Sequence, residues 1–189
     1  IDGGRTWGNV ETIYTWDQAE IDAIKTAGGT PYIGMGDQFL VDDGKIWAPG
    51  HYGTSSGLAK MELFMLYSED YGENWSFTKV NTGKYRSLAF SNPVRVKSYD
   101  GAGGEIDYVF PYQFQDEGVN ECMVSAMISR DQGKTWETID YIIKWPISIE
   151  GHESGLSETT TMVLSDGTLK ILMRNQYPGT NFASDYGSV

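Results

Sequence analysis

Cysteine, histidine and positive charge are scarce in this chain: one Cys, two His, and 14 Lys and Arg against 26 Asp and Glu. With Cys122 alone no intrachain disulfide can form, so the fold is not disulfide-stapled. Cys122 sits in the apolar run Cys122–Ile128, where a buried inert thiol is expected rather than a nucleophile. His152 stands between Glu150 and Glu153, but no second histidine lies at ligand spacing, so a solvated loop is expected and no metal or cofactor. A net charge of −12 argues against nucleic acid or an anionic membrane as the general partner, and an anionic ligand needs a local basic pocket. No apolar run approaches the length of a membrane span, so no membrane insertion is expected. Low-complexity tracts and domain boundaries are also missing, and residues 1–189 read as one domain.

Aromatic residues, at 13%, are plentiful and lean the chain towards β structure. Many of them belong to a repeat. Ser68-Glu69-Asp70-Tyr71-Gly72-Glu73-Asn74-Trp75 and Ser129-Arg130-Asp131-Gln132-Gly133-Lys134-Thr135-Trp136 both read S-x-D-x-G-x-[TN]-W. Asp2-Gly3-Gly4-Arg5-Thr6-Trp7 is the same pattern without its serine, and Ala183–Gly187 is a degenerate copy. Asp and Ser side chains bond nearby backbone N–H groups, glycine supplies positive φ, and tryptophan anchors the next strand. The box is thus a hairpin turn, and its aspartates are structural rather than catalytic.

A second alignment runs through Asp-Gly turns. The segments 34–44, 91–101 and 157–167 each end in a turn signal and lead into a strand. The second strands are expected at 45–48, 105–110 and 168–173, the third at 62–67 and 122–128, and the fourth at 76–80 and 137–143, with 9–15 the remnant of an earlier unit. Four short strands in roughly 60 residues, with a turn box between the third and fourth, make a propeller blade. The fold expected is all-β: a partial β-propeller of about three four-stranded antiparallel blades. Ala19–Lys25 reads as a short helix stopped by Gly28-Gly29, while 81–90 and 144–156 read as loops over the blade ends.

Glu158 opens a first strand and Arg174 ends the second, sixteen residues later, with the Asp166-Gly167 turn between them. Antiparallel pairing brings the two together at one end of the unit. An ordinary strand-end ion pair is the plain alternative. Against it, the equivalent positions are Met35 and Asn92 for Glu158, and His51 and Pro111 for Arg174, so the pair is peculiar to this unit. His51 and Tyr52, and Tyr112 and Gln113, end the second strands of their own units and are expected to face the same funnel, as satisfied strand-end residues or as sugar contacts. Arg86 and Arg95 lie nearby.

The boxes, in register with Leu156-Ser157-Glu158 … Asp166-Gly167 … Met173-Arg174-Asn175, resemble the catalytic domain of exo-α-sialidases, a six-bladed propeller family. The boxes alone also occur in other glycosidases and in sorting receptors; the Ser-Glu…Met-Arg-Asn segment is more specific. The resemblance implies that Glu158 helps deprotonate a tyrosine nucleophile and that Arg174 is one of three arginines gripping the sialic acid carboxylate, with Asn175 beside it in the substrate site. A neutral tyrosine avoids the repulsion that a carboxylate nucleophile would meet at an anomeric carbon already bearing a carboxylate. Its ordinary pKa of about 10 calls for a nearby base.

The resemblance further implies hydrolysis of terminal sialic acid with retention, sialylated glycans as partners, no cofactor, and an extracellular, cell-surface or periplasmic setting. The acid/base aspartate, the tyrosine and two arginines match no position here. They are expected in the remaining blades, with 1–189 an internal fragment that is inactive on a fluorogenic sialoside when isolated. Neither Arg86 nor Arg95 matches a family arginine. The alternatives are a sialidase-like propeller that binds glycans without cleaving them, and a glycosidase for another sugar.

Overall fold

The computed structural model describes residues 11–36, 38–54, 60–99, 105–118, 122–139, 147–149 and 152–176, with the backbone alone at 97–99, 105, 147–149, 152–157 and 175–176. The box at 2–7, the degenerate copy at 183–187 and the side chains of His152 and Asn175 lie outside the described residues. The chain is mostly β, as expected.

In the first unit β1 (Pro31–Met35) and β2 (Leu40–Asp42) both lie antiparallel on β3 (Lys45–Thr54), followed by β4 (Met61–Ser68) and β5 (Ser76–Val80). The second repeats this order: β6 (Arg86–Leu88) and β7 (Val94–Tyr99) on β8 (Glu105–Gln115), then β9 (Met123–Ser129) and β10 (Glu137–Thr138). The third unit comprises β11 (Ile147–Ile149), β12 (His152–Val163) and β13 (Leu169–Gln176).

The first two units do not form separate sheets. β6 reaches β4 through the parallel pair Met61↔Arg86, giving one curled ten-stranded half-barrel. The stretches 81–90 and 144–156, expected as loops, thus contain β6, β11 and the start of β12.

The second strands run well past their expected ends at 48 and 110, straight through Pro49 and Pro111. A proline lacks the N–H with which a residue of a central strand bonds its neighbour. Here the neighbouring first strand is broken opposite each proline, between Met35 and Leu40 and between Leu88 and Val94. The missing donor therefore leaves no ladder partner unsatisfied. In the third unit the same place carries only a register shift between Ser157 and Thr159, at Glu158.

The units stack through apolar faces. Trp47, Leu63 and Met65 of the first pack on Tyr108, Phe110, Tyr112 and Phe114 of the second. Val94, Val96, Val109, Ala126 and Ile128 pack towards Leu169 of the third. The outer face of the first unit (Tyr52, Phe64, Leu66) is covered by Tyr14 and Trp16. The stretch 9–15, expected as a strand remnant, has no strand over residues 11–15. Tyr14 instead lies flat on Phe77, ring centroids 3.9 Å apart, so aromatic stacking replaces edge pairing.

Helix α1 (Gln18–Thr26) forms where expected. Asp17 caps its N-terminus, and it ends with Gly28 at φ 78°, Gly28 N–H donating to the Lys25 carbonyl and Gly29 N–H to that of Ile24.

Both described boxes close in the same way. Ser68 Oγ accepts from Gly72 N–H at 2.9 Å, Asp70 accepts from the Asn74 backbone N–H at 2.9 Å, and Trp75 Nε1 donates to the Gly72 carbonyl at 2.9 Å. Ser129, Asp131 and Trp136 make the matching bonds to Gly133 and Thr135. The aspartates are consumed by their own turns. Each turn also needs positive φ one residue ahead of the glycine, at Tyr71 (60°) and Gln132 (61°).

Burial pushes the Asp131 carboxyl up, but hydrogen bonds from Thr135 and Ser129 outweigh it and hold the group below its ordinary value. A carboxyl lowered by folding contributes stability fully present above its unfolded value, about 3.9, and lost as pH falls through the folded value. Asp131→Asn is expected to melt below the wild type at pH 7 and to converge on it as pH falls through the lowered folded value. Calorimetric melting against pH checks this; a constant gap across the range contradicts it.

Candidate functional site

The β12–β13 ladder places Ser157 opposite Arg174 and Thr159 opposite Met173, leaving Glu158 as the extra residue of a β-bulge at φ 40°. Bulges re-aim side chains. Here the result is direct contact: Arg174 Nη1 donates to Glu158 Oε1 at 2.6 Å. The two side chains keep 39% and 47% of their surface exposed, so the pair is reachable from solvent. Arg174 retains donors beyond the one given to Glu158.

The pair opens on a cavity of about 340 Å³, bounded also by Gln38, Phe90, Thr159, Thr160 and Leu172. Its size falls in the range of small-molecule sites. The Thr159 hydroxyl is buried with no hydrogen-bond partner among the described residues, which leaves one polar group uncommitted at this wall.

A larger cavity of about 630 Å³ lies elsewhere, among Lys60, Lys79, Lys84 and Tyr85. Its cations are engaged: Lys60 with Glu62, Lys79 with Glu20, and Lys84 over the Phe114 ring. Volume alone favours that cavity, but the smaller one holds the guanidinium paired with a solvent-reachable carboxylate. The smaller is the candidate site.

The remaining sequence candidates divide. Gln113 reaches the site: its Oε1 accepts from the Glu158 backbone N–H at 3.1 Å. His51 reaches only the back of the wall, buried, with its ring 5.6 Å from that of Phe90 and its Nδ1 accepting from Ala89 N–H.

Tyr52 and Tyr112 do not face the funnel, and that expectation is corrected. Side chains alternate across a strand. Tyr52 therefore falls on the outer face of the first unit, its hydroxyl donating to Glu62 at 2.6 Å. Burial first, and then the Glu62 carboxylate, push that hydroxyl well above the usual tyrosine range. Tyr112 is fully buried between the first two units. Asn175 has its backbone beside Leu156, and its side chain lies outside the described residues. Arg95 pairs with Asp42 at 3.1 Å, across the first two units.

Gln38, Phe90, Thr159 and Thr160 were not singled out by sequence. Gln38 and Phe90 lie at the two first-strand breaks, a position that only the shared Pro49 and Pro111 hint at.

No protein-family model matches the chain, and no curated protein does.

Proposed function

We propose that this chain contributes the carboxylate-binding and base-supplying wall of an exo-α-sialidase, with its three units as consecutive blades of a sialidase-type propeller. The observation that carries this is the Arg174–Glu158 contact of 2.6 Å at the Glu158 bulge of the third unit. The stacking of successive units through apolar faces supports the blade arrangement.

The chemistry follows from the residue types. Arg174 presents a planar donor fork that fits the sialic acid carboxylate, a match lysine cannot make. Glu158, held beside it, takes the proton of a tyrosine brought up by residues outside 1–189, and so generates the nucleophile near neutral pH. The Arg174 charge offsets the negative charge of the bound carboxylate, while the proton leaving the tyrosine neutralises Glu158. Proton transfer to a positioned base contributes about 10²–10⁴-fold to rate.

The test is hydrolysis of a fluorogenic sialoside by the full-length protein that carries these residues, with retention read by NMR of the first-formed anomer. Turnover that Arg174→Ala abolishes supports the proposal. Lack of turnover of any sialoside by a folded, complete protein overturns it in favour of glycan binding without cleavage.

A further inference from the structure

The sequence reads Gln113 as a satisfied strand-end residue or a sugar contact; its bonds give it another task. We propose that Gln113 is a positioning residue that holds the Glu158 bulge, and through it keeps the Glu158 carboxylate on Arg174. The proposal rests on the reading of Glu158 as the base.

Glu158 is a non-glycine residue at φ 40°, in the left-handed region that costs roughly 1–3 kcal/mol and persists only where the surroundings impose it. The register shift between Ser157 and Thr159 takes its N–H out of the β12–β13 ladder. That N–H is met by Gln113 Oε1, from β8 of the neighbouring unit. Gln113 is itself 5% exposed, and its Nε2 donates to Cys122 Sγ, which turns the amide oxygen towards Glu158. Gln113 thus spends both ends of its amide on protein groups. Without this acceptor the Glu158 N–H loses the bond that rewards the bulge. The strand can relax to ordinary β geometry, and removing one extra residue swings neighbouring side chains to the opposite face. Arg174 would then lose its partner.

The experiment compares Gln113→Leu, which removes the acceptor, Gln113→Glu, which keeps an acceptor oxygen, and Cys122→Val, which frees the amide without touching Glu158. Hydrogen exchange at the Glu158 amide and hydrolysis of a fluorogenic sialoside are measured on the full-length protein. With Gln113→Leu, exchange at Glu158 is expected to speed up by about fivefold or more, the value of one hydrogen bond, while the β13 ladder amides hold theirs. In the same variant kcat is expected to fall about tenfold with KM nearly constant, and Gln113→Glu to recover most of both. Should Gln113→Leu fail to fold, Cys122→Val is expected to show the same effects at smaller size.

Unchanged exchange at Glu158 overturns the proposal. So does a rise in KM with constant kcat, which would make Gln113 a substrate contact. If the wild type cleaves no sialoside, the catalytic reading fails by itself, and the exchange data still decide whether Gln113 holds the bulge.

Discussion

Glu158→Gln is expected to lower kcat on an aryl sialoside by about 10²–10⁴-fold, the usual worth of a positioned base, while KM stays within a few-fold. Glutamine keeps the shape and can still touch Arg174, so binding survives; it cannot take a proton. Arg174→Lys is expected to act differently. It removes the fork that engages a carboxylate bidentately and leaves a point charge that still reaches Glu158. A charge-assisted hydrogen bond is worth about 1.5–3 kcal/mol, so KM should rise by about tenfold or more. Steady-state kinetics on the two variants separate the roles. Equal losses in kcat and KM from both would mean that the pair acts only as a structural tie between β12 and β13.

A large loss of stability is expected from substitution at Gly133. Its φ is +82°, and a Cβ built there would lie 2.1 Å from Nε1 of Trp47, a fully buried side chain of the first unit that donates to the Gly133 carbonyl. Gly72, at the same place in the first box, has φ +90° but no atom nearer than 3.5 Å to such a Cβ. Gly72→Ala therefore meets only the left-handed backbone penalty, about 1–2 kcal/mol. Gly133→Ala adds displacement of a packed indole, about 1–3 kcal/mol more. Urea unfolding of both variants is expected to rank Gly133→Ala clearly below Gly72→Ala. Equal losses would show that Trp47 is not seated beneath the second box.

The contrast between these glycines marks how far the sequence can be read. Both boxes are legible because Ser, Asp, Gly and Trp bond within eight residues of one another, and local bonds need no knowledge of the rest of the chain. That one box shelters Trp47 is a long-range fact with no trace in the box itself. The same division runs through the site. The meeting of Glu158 and Arg174 follows from one hairpin, so the Asp166-Gly167 turn reveals it. The bulge that turns Glu158 towards Arg174 is invisible, because Glu158 is not a residue that favours positive φ.

Nearness to strand ends points Tyr52 and Tyr112 at the funnel, whereas the period-two alternation of β3 and β8 decides which face they join. Pro49 and Pro111 read as strand terminators because a proline is judged by its lost donor, and only the broken neighbouring strand shows that no donor is missed there. The continuous curled sheet was hidden for a similar reason: one bridge at Met61 and Arg86 joins two repeats that look independent.

A crystal structure of the full-length protein soaked with a planar-ring sialic acid analogue tests most directly whether Arg174 holds a sugar carboxylate. The ligand carboxylate is expected on the Arg174 guanidinium, with the anomeric carbon at the mouth of the cavity flanked by Glu158, Phe90 and Thr159. An analogue seated instead among Lys60, Lys79 and Lys84, with Arg174 still bound to Glu158 alone, would contradict it.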